Sequence, residues 1–328
     1  MKQILSRLKF YLRWLILGAV LFFLAKALKE YWQEVVAIRI NERGWLCLAI
    51  AFVITLFAHI WAGWVWSWIL REFKQSLSSL WVIQVYLKTN VAKYLPGNVW
   101  HYYGRISALT VAGVPTTTAT LSVLLEPLLM LAAALLLVLI GSQLDQGLSQ
   151  NATTWSWQVF CLAGVLLSLH PRFLNPVVRF LGKSKRKSSR QSVPLDALVM
   201  YEENPKSGEV YSFKIERYPL IPILGEIGFL GLRGIGFLFI FLAFTPVSFS
   251  QFPLLLSAFS LAWLAGLVIP GAPGGIGVFE AIAIALLNRP FSTGLVLSVV
   301  ALYRFISILA ETTGAGLAWV GERYSTEK

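Results

Sequence analysis

The chain has 328 residues, of which 57% are hydrophobic and only 13% charged, about half the charged share of ordinary soluble domains. Apolar runs recur from end to end, which excludes a separate soluble domain of ~100 residues or more and predicts a single all-α polytopic membrane domain over residues 1–328. The net charge of +12 sits in short segments between the apolar runs; this is the pattern of orientation signals rather than of a nucleic-acid stripe, and no nucleic-acid partner is expected.

In chain order, the first apolar run is Tyr11 to Leu28, after the basic start MKQILSRLKFYLR. Lys26 between Ala25 and Ala27, with no small polar region after the run, favours an uncleaved first span over a signal peptide. Gly44 to Leu70 is the second span, with Trp61, Trp64, Trp66 and Trp68 near its far end as for an aromatic belt, and His59 one turn deeper as a helix-packing histidine. Cys47 and Cys161 both fall in apolar runs and act as small hydrophobes, with neither disulfide nor metal spacing.

Leu77 to Gly113 is only half apolar and carries Lys88, Lys93, His101 and Arg105 around YLPGNVWHYYGR, where Pro96 and Gly97 interrupt a helix. Next come Thr118 to Ile140, with Glu126 and Pro127, and Trp155 to Leu169. The basic run KSKRKSSR, Lys183 to Arg190, is assigned to the cytoplasm. That frame makes the N-terminus and residues 171–218 cytoplasmic, the Ser142 to Thr154 loop external, and Leu77 to Gly113 a re-entrant hairpin. Residues 171–218 form a basic loop in which Leu198 to Tyr201 and Val210 to Ile215 suit a small β-hairpin or a solvated linker.

Pro219 to Phe244 and Phe252 to Ile269 are further spans, the former with Glu226 and Arg233 on one face. Leu267 to Glu280, LVIPGAPGGIGVFE, cannot continue as helix: Pro270 and Pro273 lack donors, and Gly271, Gly274, Gly275 and Gly277 permit non-helical dihedrals. In hydrocarbon such backbone has to be buried in protein or line a wet cavity. A half-helix is predicted from about Gly277, with Glu280 in its first turn at the positive end. Thr293 to Val320 closes the series, with Arg304 and Glu311 seven apart. The count is seven or eight spans plus two broken re-entrant segments.

Two stretches share a grammar: YLPGNVWHYYGR, Pro115 and LSVLLEP from Leu121, then IPGAPGGIGVFE, Pro290 and LSVVALYR from Leu297. Interrupted helices at matching positions point to a transporter whose site lies where two repeats meet, parallel or inverted. Four acids (Glu126, Glu226, Glu280, Glu311) balance four bases (Lys93, Arg105, Arg233, Arg304) within or next to the spans. At roughly 2.5–3.5 kcal/mol per mid-span ion, they are expected to pair or hydrate around a common interior.

KYLPGNVWHYYGR with GVP, the SVLLE stretch, PGGIGVFE and LYR together resemble the transmembrane, flippase-like region of lysylphosphatidylglycerol synthases, over about Ile4 to Val320. The resemblance implies a bacterial or archaeal inner-membrane protein that moves aminoacylated or otherwise modified lipids between leaflets. Pro127 stands where many relatives carry Arg, which removes a local partner for Glu126. The soluble aminoacyl-transfer domain of two-part members is not in this stretch, so lysylphosphatidylglycerol synthesis is not expected of it.

The expected groove therefore combines Lys93, Pro96, Gly97, Asn98, Arg105, Glu126, Arg233, Pro273, Gly274, Gly275, Gly277, Glu280, Arg304 and Glu311. Arg105, Arg233 and Arg304 suit phosphate, and Glu126, Glu280 and Glu311 suit partner or amine contacts. PGGIG could also cradle a phosphate, although Glu280 already occupies that helix end. The partner is a membrane phospholipid; a homodimer and a separate lipid synthase are compatible with the sequence, and no cofactor or metal is expected. Two alternatives stay open: an intramembrane enzyme using His101 beside Tyr102, Tyr103 and Arg105, and a non-catalytic partner of a lipid-modifying complex.

Overall fold

The computed structural model describes residues 40–94, 99–144, 152–173, 175–176, 218–269, 275 and 277–326. The expected first span Tyr11 to Leu28, the run Lys183 to Arg190 and the β-hairpin lie outside the described residues, as do Pro96, Gly97, Asn98, Pro273 and Gly274. Among the described residues all regular structure is helical.

The described residues form nine helices: α1 Glu42–Glu72, α2 Ser79–Asn90, α3 Trp100–Val111, α4 Thr116–Leu144, α5 Ala152–Ser168, α6 Leu220–Phe244, α7 Phe252–Val268, α8 Val278–Leu287 and α9 Thr293–Thr326. Single 3-10 turns at Val91–Tyr94 and Phe249–Gln251 extend α2 and precede α7. Five are long and apolar enough to cross a membrane: α1, α4, α6, α7 with its preceding turn, and α9. Their outward faces present Phe57, Leu224 and Phe305 in exposed positions, as expected where the surrounding solvent is hydrocarbon.

Local chemistry sets the helix ends. The Asn41 side chain accepts from the Gly44 amide at 2.8 Å and starts α1, with Glu42 in the first turn facing the positive end of the dipole. Lys74, with φ of 55°, closes α1 in the left-handed conformation. Gly113 closes α3 the same way, its φ of 88° letting the Val114 amide reach back to the Leu109 carbonyl. Pro127 lies inside α4 and removes one backbone donor just after Glu126.

The most extensive helix contact joins α1 and α6. Gly44 packs near the Ala243 carbonyl, Gly236 near Thr55, Gly228 near Trp61 and Gly225 near Val65 and Trp68, so the two helices run antiparallel. Absent side chains let the backbones approach, and the Trp61 indole donates to the Gly225 carbonyl at 2.8 Å. Trp61, Trp64 and Trp68 cluster with ring centroids 5.5–5.8 Å apart. Trp66 departs from the expected belt: it points inward and is completely buried.

The described helices follow one succession twice. A long helix (α1, α6) leads to a shorter one (α2, α7), then to a short helix (α3, α8) and another long helix (α4, α9). Packing crosses between the two sets: α2 lies on α9, and α7 lies on α4. α2 and α3 have 12 residues each and α8 has 10, giving ~18 Å and ~15 Å of helix, short of a ~30 Å hydrocarbon core. An aromatic group fastens α6, α7, α8 and α9: Phe237 meets Tyr303 edge-on at 5.4 Å, and Phe279 stacks on Tyr303 at 5.4 Å.

Candidate functional site

Among the described residues, three base–carboxylate pairs lie inside this helical framework. In the first, Arg105 of α3 donates to Glu126 of α4, both almost fully buried. Tyr86 of α2 donates to the other Glu126 oxygen at 2.9 Å, and the Arg105 guanidinium lies 3.8 Å from the Tyr86 ring centroid and 5.5 Å from that of Trp66. The aromatic walls offset part of the desolvation that burying the pair incurs. Glu126 thus finds its partner 21 residues earlier, on another helix, instead of at the neighbouring position that Pro127 fills.

The second pair joins Glu280 of α8 to Arg304 of α9. Arg304 Nε donates to Glu280 Oε1 at 2.8 Å, and Nη2 donates to the Gly275 carbonyl at 2.8 Å. Glu280 also accepts from the Gly277 amide at the start of α8, one half of a capping box. Gly277 and Gly275 are therefore held by a carboxylate at the positive helix end and by a guanidinium on the Gly275 carbonyl. Gly275 (φ 71°) and Gly277 (φ 86°) take left-handed dihedrals, and a Cβ on Gly275 would sit 3.1 Å from Gly266 Cα, so α7 and Gly275 touch backbone to backbone. The Gly275 carbonyl, not an outward amide, meets the charge, which runs against the phosphate-cradle reading at this residue.

The third group spans both sets of helices. Lys93, in the turn after α2, donates to Glu311 of α9 at 2.7 Å. His59 Nε2 of α1 lies 3.1 Å from the same Glu311 oxygen and 3.2 Å from Arg233 Nη1 of α6. One nitrogen cannot donate to the carboxylate and accept from the guanidinium at once, so the imidazole tautomer selects between them. Arg233 also lies 4.9 Å from the Tyr303 ring centroid. Its Nε is buried without an acceptor, and no carboxylate lies within salt-bridge distance among the described residues.

These groups surround one cavity of about 130 Å³. Lys93, Arg105, Glu126, Arg233, Gly275, Arg304 and Glu311 line it; Glu280 and Gly277 stand behind Arg304. Four cationic side chains thus meet two carboxylates at the lining, Glu126 and Glu311, with Glu280 as a third behind Arg304. His59, Tyr86, Asn90 and Tyr94 line it too and are not among the residues expected from the sequence; the sequence signal for His59 is a lone polar residue in an apolar run. His101 is buried on the cavity wall with its ring 3.8 Å from that of Tyr102.

A bundle of apolar helices with charged pairs around an internal cavity defines a multi-pass, all-helical membrane protein. Residues 11–313 match the family described as the lysylphosphatidylglycerol synthase TM region, and the chain belongs to that family. Membership relates it to membrane proteins of lipid handling. A search of curated proteins found no match to the chain.

Proposed function

We propose that this protein moves a phosphate-bearing lipid headgroup between leaflets through the charged cavity, without making or breaking bonds in the lipid. The observation that carries the reading is Arg233. Arg105, Arg304 and Lys93 each have a carboxylate partner, whereas Arg233 is a buried guanidinium facing the cavity with none among the described residues. A headgroup phosphate supplies the missing anion and can accept from two guanidinium nitrogens at once.

In this reading the two broken segments are re-entrant arms of an inverted repeat. Support comes from the antiparallel run of α1 and α6, which hold equivalent places in the two sets, and from the exchanged packing of α2 on α9 and α7 on α4. The ties are also equivalent with charge reversed: α3 to α4 through Arg105 and Glu126, α8 to α9 through Glu280 and Arg304. Transport then consists of one repeat rocking against the other around a fixed central site. The N-terminus and the 171–218 loop face the cytoplasm of a cell membrane, and a separate lipid synthase supplies the substrate.

The test is leaflet exchange of tail-labelled phosphatidylglycerol in liposomes containing the purified chain. Wild type should exceed empty liposomes, and folded Arg233→Ala should exchange roughly 10- to 100-fold more slowly, the loss expected for charge-assisted hydrogen bonds. Equal rates for the two proteins would remove Arg233 from the site, and no exchange by either would overturn the transport reading.

A further inference from the structure

Glu226 plays no part in the reading above. It lies on α6, seven residues before Arg233 and on the same face. It is completely buried, and neither carboxyl oxygen has a hydrogen-bond partner among the described residues. Three ionisable groups from other helices interact with it electrostatically: Tyr86 of α2, Arg105 of α3 and Glu126 of α4. From α1 come Trp61, whose indole N–H is engaged by the Gly225 carbonyl, and His59, which lies against Phe229 and Arg233 of α6 and against Glu311. α7 contains no titratable side chain. On α9, Arg304 and Glu311 bond to Glu280 and to Lys93, and Tyr303 lies against Arg233.

Two carboxyl groups therefore share one guanidinium. Arg105 is matched by Glu126, so an ionised Glu226 would be a buried carboxylate with nothing to offset it, and a group in that position neutralises instead. Protonated, it leaves the four lining cations opposed by three carboxylates, a surplus of one positive charge. Deprotonated, it cancels that surplus.

We infer that Glu226 is a proton-binding site coupled to the anion site at Arg233, so that headgroup binding and proton binding favour one another and the transport cycle carries a proton. The step is an O–H bond formed on a Glu226 oxygen by a proton from water and broken when the proton leaves. The coupling is reciprocal: if the proton tightens anion binding, the anion tightens proton binding by the same factor. The inference supplies the energy source for the proposed transport and rests on that reading.

Two measurements on the full chain keep the two apart. The first is the infrared carbonyl stretch of protonated carboxyl groups at neutral pH. A band present in wild type and missing in Glu226→Gln is expected, and its absence from wild type would overturn the proton site whatever the protein transports. The second is exchange of tail-labelled phosphatidylglycerol in phosphatidylcholine liposomes with an imposed pH gradient. The gradient should change the wild-type rate roughly tenfold, within the usual range of coupling factors. In Glu226→Gln the ratio of rates with and without the gradient should fall to about one. Glu226→Asp, which keeps a carboxyl group, should restore part of the response and serves as the folding control. Wild-type exchange that ignores the gradient would overturn the coupling and leave the transport reading intact. Loss of all exchange would remove transport and coupling together, while the infrared band would still decide the protonation.

Discussion

Glu126 and Arg304 each anchor a short helix to a long one, and each does so inside the protein, where a charge left alone is far more expensive than on a surface. Truncating Glu126 to Ala strands the Arg105 guanidinium. The expected loss is about 3–5 kcal/mol of unfolding free energy, read as a clear drop in thermal midpoint in a fixed detergent. The Arg105→Met/Glu126→Leu double variant should lose less than the two single variants summed, because it removes both charges; simple additivity would argue that the pair is not coupled. Arg304→Lys is a different case. Lysine keeps the charge but cannot hold Glu280 and the Gly275 carbonyl in one plane, so a loss of about 1–2 kcal/mol is expected. Wild-type stability would show that the Gly275 contact carries no weight.

At the scale of elements, the seam between α1 and α6 depends on glycine. A Cβ at Gly225 would meet Val65 and Trp68 atoms at 2.6–2.9 Å, whereas one at Gly231 meets nothing within 4 Å. Gly225→Val should therefore destabilise by about 1–3 kcal/mol through overpacking, and Gly231→Ala should be neutral or slightly stabilising. Equal effects at the two sites in a thermal unfolding series would contradict the packing described here.

Most of the long elements were legible because twenty or so apolar residues admit few other structures in a membrane. Gly44 to Leu70, Thr118 to Ile140 and Pro219 to Phe244 fall within two residues of their observed helix ends, except where α4 runs four residues further to Leu144. Helix faces were far less legible. These spans are apolar all round, so periodicity does not separate the lipid side from the protein side, and Trp66 could not be told from its neighbour Trp64. The site was legible as a set of residue types: seven of the expected groove residues line one cavity. Its pairing was not, because Arg105 with Glu126, Glu280 with Arg304 and Lys93 with Glu311 are set by how helices cross. His59 was read as a packing residue, and only the approach of α6 and α9 to α1 brings Arg233 and Glu311 to it.

For the whole molecule, the charges form a gradient of commitment. Lys88 with Glu322, 2.7 Å apart and partly exposed, ties the outer ends of α2 and α9 and should matter little. The buried pairs hold the short helices in place. Among the described residues, Arg233 is the lining cation without a carboxylate partner, and in the proposed reading it meets the headgroup. In the proposed reading a lipid phosphate enters the cavity beside it, and photo-crosslinking from the headgroup tests that entry. Phosphatidylglycerol carrying a photoactivatable group on its headgroup, reconstituted with the full chain, is illuminated and the adducts are mapped by mass spectrometry. Adducts are expected on cavity residues such as Tyr94 and Ser307, reduced roughly 10- to 100-fold in Arg233→Ala. Adducts confined to outward residues such as Phe57 and Phe305, unchanged by that substitution, would contradict the reading.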